Sequence, residues 1–537
     1  MSNHETQFNL AETRRRFPQL VENLAYLPNR EAWLKRIWEI EQRWNEFRVN
    51  PDRFEEVLRF GSPKNAEAEE HFEIIYAGGT LGLLHAAVMA KKFNRKVLVF
   101  DAHTVGKTHR DWNISDEELQ EFVKAGLFSR EEIEKAVANR YKTGFVKFFD
   151  RNSPIKTPPL FMDNVLDVAI EADKLLEIAA KKLKQSGSDS KIVSNLRFVR
   201  AFVQKDKTIV ECEDRKTGRP RFFSARLFVD ATGTNSPVSR QLNAGKSITH
   251  VCPTVGTVAR GFKHGDIEKN ERAVDFSVGE ILVSTEDVSD HRQLIWEGFA
   301  GNPTKDEYTT YLFFYDSVES RADKSLFRLF EEYFAKLPDY KTKNGAWRVV
   351  KPVFGYIPSV HHQGWNNVKK TAADGVLLVG DAAGLSSPLT FCGFGSHVRN
   401  LRKLTDLTER AMSENSTDVK TLSQINAYEP RVAQMSSLAE FMRPTAKSKS
   451  SVVNETMNAV MAALSRLDAE ISREMFQDRI SFASFKKVLL KTAQIHPKVF
   501  RLMFEHLGAK GAFWWISNIA EAALREKKQS PAKNVFL

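Results

Sequence analysis

Apolar runs set between polar and Gly-rich breaks divide this chain into recognisable elements. In the first 70 residues, Trp33, Ile37, Ile40, Trp44 and Phe47 recur at spacings of four, three, four and three. That period marks one apolar helix face, packed on the main body. Ile74, Ile75 and Tyr76 form a short run of β-formers, which predicts a buried strand. A Gly-rich turn follows, then a Leu- and Ala-rich helix over 83–93 and an apolar strand over 97–100, closed by Asp101. Residues 165–184 read as an amphipathic helix. Residues 196–203, 208–213 and 221–224 predict a three-strand meander running into an apolar strand at 227–230. The segments 274–278, 280–284, 293–299 and 309–315 predict an antiparallel sheet, different in kind from the earlier part. Residues 354–358 read as turn-rich, and from 425 onward the pattern is helical.

The strand–turn–helix–strand at 72–101 is a βαβ unit with a dinucleotide fingerprint at its first turn. Gly78, Gly79 and Gly82 carry it, with Thr80 and Leu81 between them, and Ala77 stands where a first glycine is usual. Such glycines let backbone amides approach a pyrophosphate, whose charge the helix N-terminus favours. Asp101 sits where an acidic residue binds a ribose hydroxyl. Just beyond it, Arg110 and Asn113 read either as contacts to that ligand or as ordinary loop residues, while Ser115 and Glu118 fit a capping box. Two further turns follow apolar strands: Asp-Ala-Thr-Gly, ending at Gly233, and Gly380-Asp381-Ala-Ala-Gly384. Gly233 lets the chain pass close to a cofactor. Asp381 suits a ribityl hydroxyl. The glycines around Gly393 and Gly395, with the helix after them, suit a pyrophosphate or an anionic flavin edge. Glu297 lies between aromatic residues. An apolar setting raises a carboxyl pKa and suits it to act as an acid. Strand alternation equally allows Glu297 to point to solvent.

With 537 residues, 42% hydrophobic and 27% charged, the chain has the make-up of a globular protein of two or three domains. Cys212, Cys252 and Cys392 show no metal spacing and no disulfide framework, so no metal is expected and a reducing compartment fits. No apolar h-region opens the chain and no apolar run spans a bilayer, which predicts a cytoplasmic location. The net charge is +11, and from Lys486 onward there are ten Lys and Arg against three Glu. No nucleic-acid fold signature accompanies this basic end, so no nucleic-acid partner is expected. Phe500, Met503, Phe504, Phe513, Trp514, Trp515 and Ile516 sit among those cations. They fit a helix lying on a membrane surface as well as they fit an ordinary docking helix.

The three turns in this order resemble the FAD-binding pattern of glutathione-reductase-type flavoproteins. More narrowly, the chain resembles the para-hydroxybenzoate-hydroxylase-like branch, which includes monooxygenases, geranylgeranyl reductases and lycopene cyclases. Within that branch it is most similar to the Cru-type lycopene cyclase family, through 78–82, Asp111-Trp-Asn-Ile-Ser115, Trp296-Glu-Gly-Phe299, Thr309-Thr-Tyr311 and Ser387-Pro388-Leu-Thr-Phe-Cys-Gly393-Phe-Gly395. The fold class implied is α/β with α+β elements: a Rossmann-like FAD-binding domain, an antiparallel-sheet substrate domain and a helical C-terminal region. The boundaries expected are an N-terminal helical segment (1–70), a discontinuous FAD domain (71–250 and 350–420), the sheet domain (251–349) and the helical end (421–537). The resemblance implies bound FAD, with NAD(P)H as a reductant, and places Pro388 among the cofactor contacts. It implies proton-initiated cyclisation of a linear carotenoid with no net redox change, on a peripheral membrane protein. Glu297 is the candidate acid. The alternatives are an FAD-dependent monooxygenase or prenyl-lipid reductase, and a flavin-binding paralogue without catalysis.

Overall fold

The computed structural model describes residues 8–50, 54–63, 67–361, 369–384, 389–390, 393–426, 430–445 and 448–529. A five-stranded parallel sheet organises the nucleotide-binding part. In spatial order its strands are Val376–Leu378, Pro220–Asp230, Glu70–Ala77, Val97–Asp101 and Lys191–Ser194. Their carboxyl ends are level: Ala77 lies opposite both Phe100 and Asp230, and Asp230 opposite Leu378. The strands read as continuous apolar runs because both faces are covered. Ile74, Tyr76, Val97 and Val99 face the helices, whereas Phe72, Ile75, Leu98 and Phe100 join a second core under the meander.

The helix layer includes Leu81–Phe93, Ala172–Lys184 and Gly393–Ser413. The expected helix over 165–184 is therefore shorter. Val168–Ile170 is a strand between Trp112–Ile114 and Val137–Arg140, where three consecutive buried residues are covered on both faces. The meander forms as expected from Leu196–Val203 and Thr208–Asp214. Its third strand and the apolar strand after it are one element, Pro220–Asp230. One edge of that strand is paired first by Thr208–Asp214 and then by Val376–Leu378.

The second sheet runs Lys343–Ser359, His250–Phe262, Tyr308–Phe313, Ile295–Ala300, Val278–Val283, Thr143–Lys147 and Leu160–Met162. It thus draws strands from outside 251–349. The expected strand 274–278 is absent apart from a single bridge at Val274. The stretch 354–358 lies inside a 17-residue strand, not a turn. Pairing along the whole of His250–Phe262 overrides the local glycine and prolines, which an edge strand tolerates. The helix Leu326–Tyr340 covers the back of this sheet with Phe330, Tyr333, Phe334 and Leu337.

The N-terminal helices are Leu10–Arg16, Pro18–Asn23 and Arg30–Val49. The last buries Leu34, Ile37, Trp44 and Phe47, and Trp44 stacks on Tyr356 with ring centroids 4.6 Å apart. At the other end, Val499–Gln529 breaks at Gly508, whose φ of 69° is left-handed. Met503 is buried and Trp515 Nε1 donates to the Ser437 carbonyl, while Phe500, Phe504, Phe513 and Ile516 are exposed. Among the described residues, no helix is long and apolar enough to cross a membrane.

Candidate functional site

Because the parallel strands end level, the three Gly-rich turns converge at the carboxyl edge of the sheet. That edge is where open α/β folds hold their ligands. A cavity of about 540 Å³ lies there. Asp101, Thr80, Leu81, Gly233, Arg110 and Asp381 border it, and Gly393 brings the start of the helix Gly393–Ser413 to its rim.

The turns are built against each other. A Cβ on Gly78 would stand 2.2 Å from the Ala231 carbonyl oxygen, and one on Gly82 would stand 2.7 Å from the Ala231 Cβ. These two glycines therefore make room for the Asp-Ala-Thr-Gly chain. Gly380, with φ of 59°, packs on Leu81 in the same way. Gly79 is different: its N–H donates to Asp101 Oδ2 at 2.8 Å. The other Asp101 oxygen accepts from the His103 N–H at 2.8 Å. Asp101 thus ties the first turn to the second strand while facing the cavity. At Gly233, with φ of 89°, a Cβ would meet nothing within 4 Å, so a side chain there would enter the open space. Gly384 abuts Lys369, whose Nζ donates to the Ala382 carbonyl. Burial lowers Lys369 to about 7 and raises Asp381. Gly395 lies in the first turn of its helix and is buried. Pro388 lies outside the described residues.

Sequence reasoning misses Asp230, although it fixes the second turn. It is fully buried, accepting from the Thr232 N–H and hydroxyl and from the Ser236 hydroxyl at 2.6–2.8 Å. Its position as the last residue of an apolar strand is the available signal. The N-terminal helix also takes part in the site. Trp33, Arg36, Ile40 and Arg43 line the cavity, so this helix is a wall as well as a packing element. Arg36 Nη1 lies 2.7 Å from His103 Nε2. With Arg110, these cations make the cavity suited to an anionic centre such as a pyrophosphate.

On the far side, the second sheet supplies Glu297, Phe299, Tyr311, Phe313 and Phe354. Glu297 faces the cavity and not bulk solvent. Burial pushes its carboxyl up to about 8, against a lowering hydrogen bond from Asn113. The Asp111–Ser115 stretch is held beside it by several bonds. Lys351 Nζ pairs with Asp111 Oδ1 at 2.6 Å, and the Tyr311 hydroxyl donates to the Asp111 carbonyl at 3.1 Å. Trp112 stacks on Phe394 at 4.2 Å, joining the Asp111–Ser115 stretch to the Gly393–Gly395 turn. Arg110 lies against Gly355, where a Cβ would be 2.4 Å from its Nη2.

No family model and no curated protein sequence matches the chain. Solved structures do. A geranylgeranyl bacteriochlorophyll reductase-like protein from Thermoplasma acidophilum aligns with TM-score 0.59 at 14% identity, over 80% of this chain and 98% of that one. The halogenase PltM aligns with TM-score 0.55 at 14% identity, over 84% and 96%. The flavin-dependent brominase Bmp2 aligns with TM-score 0.53 at 12% identity, over 80% and 100%. A single-residue variant of PltM has been solved in complex with FAD, and PltM itself with phloroglucinol and FAD. At these identities the likeness establishes the fold: this chain has the architecture shared by that reductase-like protein and by flavin-dependent halogenases.

Proposed function

We propose that the protein is an FAD-dependent oxidoreductase acting on an apolar, unsaturated lipid of the prenyl class. FAD fits the cavity by the chemistry of its lining: the three turns, the cationic Arg36 and Arg110, Asp101 and Asp381, and an open space at Gly233. The turns around Gly79, Gly233 and Gly393 would hold it. Once bound, FAD supplies hydride-transfer chemistry with NAD(P)H as the external reductant. The observation that carries the reading is Glu297, a carboxyl kept protonated at neutral pH at the junction of the turns and an aromatic wall. An alkene needs a proton at one carbon when its partner carbon accepts hydride, and Glu297 is the donor. Asn113 orients its carboxyl, and Phe299, Phe313 and Phe354 wall the site off from water, which keeps the carboxyl protonated beside an apolar substrate.

A second reading is favoured by the same residue. Cyclisation of a linear carotenoid would need reduced FAD in place, with Glu297 giving a proton to a terminal alkene carbon and recovering one beside the new ring. No net redox change is involved. The exposed aromatic residues of 500–516 among Lys498, Arg501 and Lys510 support docking on an anionic membrane, where either substrate dissolves.

The decisive experiment reconstitutes the protein with FAD and incubates it with lycopene or a geranylgeranyl lipid under NAD(P)H, with product mass as the readout. A gain of two hydrogens per double bond establishes reduction. An isomer of unchanged mass whose chromatographic retention and absorption spectrum mark ring closure establishes cyclisation. Failure to bind FAD overturns both readings, and bound FAD with no product removes the prenyl substrate.

A further inference from the structure

A buried cluster outside the cavity has the donor set of a metal centre. The strand His250–Phe262 begins where Lys343–Ser359 ends, with His250 opposite Ser359, and His361 follows two residues on. The two imidazoles stack with centroids 3.7 Å apart and planes at 19°. Both residues are more than nine-tenths buried, at 8% and 7% exposure. Glu440, in the short turn Glu440–Met442 of the C-terminal region, directs Oε1 at both rings. That oxygen lies 2.6 Å from His361 Nδ1 and 3.0 Å from His250 Nε2.

The second of these contacts is not an ordinary hydrogen bond. His250 Nε2 is buried, and its 3.0 Å approach to the carboxylate oxygen is poorly aligned for a hydrogen bond. The other ring nitrogen, Nδ1, lies 3.0 Å from the Thr249 hydroxyl oxygen. That oxygen donates toward the Ser359 carbonyl at 3.5 Å and accepts the His361 N–H at 2.8 Å. With Thr249 accepting from Nδ1–H, Nε2 would present a lone pair to an ion. A nitrogen lone pair and a carboxylate oxygen at 3.0 Å repel each other unless a proton or a metal ion lies between them.

We propose that His250, His361 and Glu440 bind a divalent transition-metal ion that fastens the C-terminal helical region to the second sheet. Two imidazole nitrogens and one carboxylate oxygen suit zinc or ferrous iron. Arg443 Nε donates to the other Glu440 oxygen at 2.8 Å, which orients Oε1 toward the rings. A void of about 10 Å³ adjoins both histidines and is bordered by Asp316. It has room for about one water, the natural fourth ligand. Ligand distances of about 2.1 Å require donors roughly 3.4 Å apart, so Glu440 withdraws slightly when the ion enters. A void this small admits no organic substrate, which makes the site structural. The ligands are 79 and 111 residues apart, so no short spacing motif announces them.

The test uses full-length protein without a histidine tag, stripped with a chelator and titrated with Co(II). The expected result is one equivalent bound with visible ligand-field bands, displaced by Zn(II), and a higher Tm with either ion. His250→Gln and Glu440→Gln are expected to lose affinity at least a hundredfold while keeping their FAD content. Wild-type protein that shows no bands under excess Co(II) overturns the proposal, as do variants that bind as tightly as wild type. Should a variant fail to fold, the wild-type titration alone decides.

Discussion

Glu297 shows how one alternation along a strand sets the chemistry. Trp296 turns toward the covering helix and stacks on Tyr340 at 4.6 Å. Its neighbour therefore faces the opposite side, which is the cavity. The sequence showed an acid among aromatics but not which face of the strand would be walled off, because that depends on a helix 30 residues further on. With the carboxyl pushed up to about 8, acid-dependent turnover is expected to hold below that pH and fall above it. Glu297→Gln should lower kcat by about 10²–10⁴-fold and flatten this limb without changing FAD content. Asn113 favours the ionised form, so Asn113→Leu should move the limb upward. The stability linkage has the matching sign. The folded-state pKa lies above the ordinary Glu value, so the protonated group's contribution is complete below that value and disappears as pH rises through about 8. The melting temperature of Glu297→Gln should accordingly fall less than that of wild type between pH 5 and pH 9.

Among the elements, the three turns were legible because Gly-rich strand ends carry a local signature. Their mutual packing was not, since it joins residues some 150 positions apart. Ala231 presses on Gly78 through its carbonyl and on Gly82 through its Cβ. Gly82→Ala should be destabilised and then rescued by Ala231→Gly, with Tm as the measurement. Gly78→Ala should not be rescued by that change, because its clash is with backbone. Gly233→Val tests a different property. A Cβ there meets nothing within 4 Å, so folded protein with sharply reduced FAD retention is expected, apart from a strain of about 1–2 kcal/mol for left-handed backbone. The N-terminal helix gives the opposite lesson. Its apolar period predicted packing correctly, but Arg36 and Arg43 carried no pattern that marked them as cavity residues. Likewise, Gly355 and Pro358 in the stretch 354–358 suggested a turn until long-range pairing made it a strand.

For the molecule as a whole, the proposed membrane docking would set an orientation through the basic aromatic surface at the C-terminal end. Sedimentation with vesicles should show binding to anionic but not neutral lipid. Phe504→Glu with Phe513→Glu should abolish it with FAD content unchanged; equal binding by the double variant would remove the membrane reading. The parallel sheet has a further consequence, for biosynthesis. Its edge strand Val376–Leu378 and the helix starting at Gly393 are made about 300 residues after the first turn. At about 5–20 residues per second, the emerging first turn waits roughly 15–60 s for its partners. The nascent chain therefore carries half a cradle with an unpaired sheet edge for most of its synthesis, and loading of the proposed cofactor would be a late event, after translation has passed the third turn.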